Sequence, residues 1–268
     1  MHLVGIVSSP TSLDDAVVAL AQATGLTRAE ARMRLAPEPP ALVARTGSVE
    51  AAELVASMRR AGVGTLAIEE NVPTDADRLV AQSFEFSGDG ARFTPRGGTD
   101  LNLPWAEVLG IFRGIRLTRS ASEHTEKTRK FSMGRALVTG GVVLSRTTSR
   151  VERTSSEAVE QVVLVYSRGG EAVMLAEGSV QFSGLGPDLN PSSTANMIEI
   201  ARQLRERAPA AFYDERLLRL ARRPLPFVIG RESRVQAAGT VTTRTATGGT
   251  LDILAELMRQ ALVERLLP

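Results

Sequence analysis

Residues 1–70 confine this chain to few folds, because β-prone runs and capped helical stretches alternate there with turn residues at the junctions. His2–Val7 is a short strand-like run stopped by Ser8-Ser9-Pro10. Ser12 stands three positions before Asp15, where its hydroxyl can accept a free helix N–H, and Val17, Leu20 and Thr24 then recur at helical spacing until Gly25. Thr27 and Glu30 form a capping box for a second helix through Leu35, which Pro37, Pro39 and Pro40 end. Ala41–Arg45 reads as a strand. Ser48 caps a third helix whose buried stripe is Ala52, Val55 and Met58 with Leu54 alongside, Gly62 is its C′ residue, and Val63–Ile68 is the third strand. The order β-α-α-β-α-β predicts a small sheet with helices on one face. Its expected core includes Val17, Leu20, Leu26, Leu35, Leu54, Val55 and Ile68.

Ala23-Thr24-Gly25-Leu26, then Glu30-Ala31-Arg32, Pro40 and Ala61-Gly62, stand in the order found in the C-terminal domain of the bacterial ribosomal stalk protein, which this segment resembles. It resembles the ClpS-type protease adaptors more distantly. The resemblance implies a compact protein-binding module that performs no chemistry. Stalk domains recruit translational GTPases through cationic residues on the first helix, and the positions aligned with those are Val18 and Ala21 here. The adaptors grip an N-terminal amine with an Asn-Asp pair where this chain has Ser8, Ser9 and Pro10. The resemblance therefore implies the fold, put to a different interaction.

A polar connector over residues 71–81 leads to a second domain over 82–208. Gln82–Phe86 and Ala91–Thr94 flank Ser87-Gly88-Asp89-Gly90, and Glu160–Ser167 and Ala172–Phe182 flank Arg168-Gly169-Gly170, which are two hairpin patterns. Leu103-Pro104-Trp105 feeds a further strand over Val108–Leu117. A helix capped by Ser192 or Ser193 follows, with Ile198, Ala201 and Leu204 on one face. This layout resembles a pleckstrin-homology-like barrel. The whole chain is thus expected to be α+β: a β-α-α-β-α-β domain, then a β-rich domain with C-terminal helices. Within the second domain, 118–157 is a basic insertion whose first part, TRSASEHTEKTRK, reads as a loop, with FSMGRALVTGGVVLSRTTSRV as a long hairpin. Residues 209–268 form an extension: a short basic helix over Asp214–Ala221, a Thr-rich run over Val235–Thr245, and an amphipathic final helix. That helix places Leu251, Leu254, Met258, Leu262 and Leu266 near one face. Docking on its own chain is the favoured use, and self-association through 250–268 the sharper alternative.

Charge is uneven along the chain. Residues 1–80 carry a net −3 and residues 112–153 a net +7, inside an overall +2. Arg129, Lys130, Arg135, Arg146, Arg150 and Arg153 are the candidate anion-binding residues, toward acidic lipid first and nucleic acid second. Only eleven aromatics occur, and none interleaves with this segment as stacking on single strands requires. There is no cysteine, no phosphate-loop pattern, and the two histidines, His2 and His124, are far apart, so no catalytic, cofactor or metal residue is assigned. The opening MHLVGIVSSP has neither a basic n-region nor a long apolar run, which reads as no signal peptide and a cytoplasmic location. The functional expectation is a non-enzymatic protein-binding or adaptor protein. Anionic-lipid or nucleic-acid binding through 112–153 is the alternative, and an enzyme with a carboxylate-based site comes last.

Overall fold

A computed structural model of the chain describes residues 1–130, 146–222, 231–237, 240–246 and 248–267. Two compact units emerge. The first comprises residues 1–116, 159–229 and 248–268, and the second 117–158 and 230–247. The architecture is α+β.

The first unit begins as its punctuation dictates: β1 (His2–Ile6), α1 (Leu13–Thr24), α2 (Arg28–Leu35), β2 (Ala41–Thr46), α3 (Ser48–Arg60) and β3 (Thr65–Glu69). The caps are those the sequence offers. The Asp15 N–H donates to Ser12 Oγ, Gly25 is left-handed at φ 71°, and Thr27 and Glu30 cap reciprocally. Helix α3 differs, because Gly47 is its N-cap and supplies no side-chain bond. The sheet order is β2-β1-β3, antiparallel throughout, with a register shift in β1 between Val4 and Gly5. Val4, Ile6 and Val43 on one face pack with Val17, Leu20, Leu35, Leu54 and Met58 of the three helices. Leu26 and Val55 are only half-buried, and Ala51 rather than Ala52 faces inward.

The remaining strands are β4 (Leu79–Phe86), β5 (Gly90–Pro95), β6 (Leu101–Pro104), β7 (Val108–Lys130), β8 (Arg146–Ser167), β9 (Ala172–Ala176), β10 (Phe212–Asp214), β11 (Arg231–Ala237) and β12 (Thr240–Ala246). They join in the order β11-β12-β7-β8-β9-β4-β5-β6, and β10 adds to β7 in parallel. Both expected hairpins are present, β4–β5 and β8–β9. Strand β9 stops at Ala176, and a 3-10 turn covers Phe182–Asp188. Helix α4 (Ser193–Arg207) starts with the Ala195 N–H on Ser192 Oγ. It buries Met197, Ile200, Ala201 and Leu204 against Phe84, Phe93, Val163, Val165, Val173 and Leu175. Ile198, expected on the inner face, is 49% exposed, since the stripe turns by one residue. The expected basic helix over 214–221 is instead the end of β10 followed by a 3-10 turn over Arg216–Arg222.

Helix α5 (Gly248–Val263) is not a one-faced surface helix. Every residue from Leu251 to Met258 is buried. One side meets Leu3, Leu42, Leu66 and Ile68, the second face of the β1–β3 sheet, and the other meets Phe112, Val162, Leu164 and Met174. The small sheet is therefore covered on both faces. Glycines make the slot. A Cβ on Gly5 would land on Leu257, and one on Gly114 would lie 2.7 Å from Leu251 Cδ1. The expected stripe packs on its own chain, with Leu251, Leu254 and Met258 buried and Leu262 and Leu266 partly so.

Candidate anion-binding site

Five of the six candidate cations fall on neighbouring strands. Arg129 and Lys130 end β7, while Arg146, Arg150 and Arg153 lie on β8, which is hydrogen-bonded beside it. Arg135 lies outside the described residues. The segment 118–130, expected as a loop, is strand throughout. Its polar composition hides this, since neither face carries an apolar row. The pairing partner comes from over a hundred residues away: Thr118–His124 of β7 runs antiparallel to Thr240–Ala246 of β12.

That pairing brings in cations that local reading missed. Arg244 of β12 sits between Ser120 of β7 and Ser233 of β11, and Arg119 stands opposite Thr245. Arg234 faces Thr243, and Arg231 faces Ala246. The Thr-rich alternation of 240–246 was the available signal for a strand, but nothing local names its neighbour. Two other cations of the basic stretch leave the set. Arg113 donates to Glu215 at 2.7 Å and to Gln161, and Arg116 pairs with Asp75 at 3.0 Å in the first unit. The second unit holds eleven cationic and five acidic side chains over its two segments, a net +6, which leaves −4 on the rest of the chain. Charge thus segregates with structure. His124 stands opposite Thr240 in the register.

Several charges of the first unit are held in pairs. Arg78 is buried, donating from Nε to Thr74 O (3.1 Å) and from Nη2 to Pro73 O and to Asp252 Oδ1 (both 2.6 Å). Among the described residues its Nη1 has no partner. Burial raises the Asp252 carboxyl pKa, against the pull of Arg78, and burial likewise raises the nearby Tyr166 phenol. Arg259 grips Glu256 one turn along α5. This cluster ties residues 73–78 to the buried helix, and among the described residues no group of three His, Asp or Glu side chains is arranged to hold a metal.

Two surface concavities belong to the first unit. One, of about 420 Å³, opens between the α1–α2 turn, the end of β2 and the start of α3, lined by Leu26, Arg34, Arg45, Glu50 and Leu54. Val18 and Ala21, the positions aligned with stalk-domain cations, are half-buried on α1. The other, of about 230 Å³, lies beside β6. Among the described residues no helix is long and apolar enough to cross a membrane. No protein-family model, curated protein or solved structure matches the chain.

Proposed function

We propose that this chain is a non-enzymatic adaptor whose first unit is a protein-binding body and whose basic strand unit contacts an acidic surface. One observation carries the reading: a net +6 collects on a unit built only of β7, β8, β11 and β12 among the described residues, while the rest carries −4. Surplus charge kept apart from neutralising partners raises the local concentration of an oppositely charged surface. The stalk-domain likeness of residues 1–70 supports the protein-binding half.

Acidic lipid headgroups are the favoured anion. A broad strand surface suits a plane of headgroups, the layout resembles a pleckstrin-homology-like barrel, and the described part of the unit has no aromatic on which bases would stack. Each cation near an acidic bilayer contributes about 1 kcal/mol. The test is sedimentation of the full chain with phosphatidylserine-containing vesicles, alongside duplex-DNA gel shifts, at low and physiological salt. Arg231→Gln/Arg234→Gln/Arg244→Gln should weaken vesicle binding by roughly a hundredfold. Tighter binding to DNA would overturn the lipid assignment, and indifference of both probes to the triple variant would overturn the role of the unit.

A further inference from the structure

Charge is divided unevenly between the two faces of the basic strand unit. Strands β11, β12 and β7 pair through seven cross-strand rows, from Arg231–Ala246–Thr118 to Ala237–Thr240–His124. Both pairings keep one register throughout, so residues in alternate rows share a face. One face takes Arg231, Arg244 and His124, with serine or threonine at six further positions and no acid in these rows. The other takes Arg119 and Arg234 together with Glu123 and Glu232, and only two hydroxyl residues. Arg234 stands two positions from Glu232 on its strand, and Arg119 four from Glu123. Two arginines meet two acids on that face, whereas two arginines meet none on the first.

Arg244 is the centre of the uncompensated face. It stands between Ser233 of β11 and Ser120 of β7 in one row, and Arg231 is its diagonal neighbour on β11. Diagonal positions on an antiparallel pair lie about 7–8 Å apart, within reach of long side chains. Two cations at that spacing with no acid in their rows repel each other, and an anion shared between them removes the repulsion. Every side chain of this group is of a donating type, since guanidinium N–H groups only donate and hydroxyls can. A phosphate monoester answers such a group with three strong acceptor oxygens and about −1.5 to −2 of charge. A carboxylate has only two oxygens and a single charge.

We propose that Arg231, Arg244, Ser120 and Ser233 form a phosphate site on one face of the basic unit, and that its ligand is the phosphomonoester headgroup of a membrane lipid. This site rests on the reading of the basic unit as a contact for an acidic surface, and adds to it the face and the headgroup. The opposite face, whose arginines are matched by acids, takes no part.

The full-length protein would be sedimented with phosphatidylcholine vesicles carrying either phosphatidic acid or phosphatidylserine at matched surface charge. Binding to phosphatidic acid should be tighter by at least roughly tenfold. Arg231→Gln/Arg244→Gln should abolish that preference. Ser120→Ala/Ser233→Ala, which leaves the charge intact, should reduce it. Arg119→Gln/Arg234→Gln removes the same charge from the other face and should keep it. Equal binding to the two lipids, or equal loss of preference in the two arginine variants, would overturn the site while leaving acidic-lipid binding in place. Binding to neither lipid would overturn the reading of the basic unit along with the site.

Discussion

Arg78 and Asp252 form a buried ion pair with one guanidinium nitrogen left over, so the two residues respond differently to loss of their partner. Asp252→Ala strands a cation that stays charged and should cost about 3–5 kcal/mol in urea denaturation. Arg78→Met strands a carboxyl that can take up a proton. Burial already raises its folded-state pKa above the unfolded value, so its neutral form favours the fold and that contribution fades as pH rises through the folded pKa. The deficit of Arg78→Met should therefore shrink between pH 7 and about pH 4.5, whereas that of Asp252→Ala should not. Glu177 has the opposite sign. Burial raises its pKa, but bonds from Ser193 Oγ, Thr194 Oγ1 and the Gln161 N–H outweigh this, so the net shift is downward. Its contribution is present above the unfolded pKa and lost as pH falls through the folded one. Glu177→Gln should cost about 1 kcal/mol at neutral pH and nothing below the folded pKa, read from melting curves at both.

At the scale of elements, α5 is the central support of the first unit, and its fit depends on absent side chains. Gly5 lets Leu257 reach the β1–β3 sheet, and Gly114 admits Leu251 on the opposite side. Gly5→Ala drives a methyl into Leu257 and should destabilise by roughly 1–3 kcal/mol. Combining it with Leu257→Ala should recover part of that, a coupling of about 1 kcal/mol in a double-mutant cycle; strict additivity would show that the slot is not set by this contact. The apolar spacing of Leu251, Leu254 and Met258 was legible beforehand, and so was the helix. Burial around its whole circumference was not, because Asp252 and Glu256 read as solvent-facing positions until Arg78 and Arg259 are seen to hold them. The loop reading of 118–130 failed for a related reason: a strand with polar residues on both faces leaves no alternation to detect.

Across the whole molecule, charge and architecture coincide, and this gives a salt-dependent expectation. Binding of any polyanion through the basic unit should fall steeply with ionic strength in the native chain and more shallowly in the Arg231/Arg234/Arg244 variant, measured as the slope of log affinity against log salt. A slope shared by both proteins would place the contact elsewhere. By itself the sequence determined what is local. Caps at Ser12 and Thr27, the left-handed Gly25 and Gly62, the β4–β5 and β8–β9 hairpins, and the β-α-α-β-α-β order all follow from residues within a few positions of each other. Tertiary structure alone decided which distant segments meet. It set α5 between two sheets, joined β12 to β7, and withdrew Arg113 and Arg116 from the basic stretch into ion pairs. It also brought Trp105 and Arg207 onto Phe86 from three separate elements. The physical reason is range. Caps and turns are satisfied by hydrogen bonds between near neighbours, whereas strand pairing and burial are chosen by competition among surfaces that only a folded chain brings together.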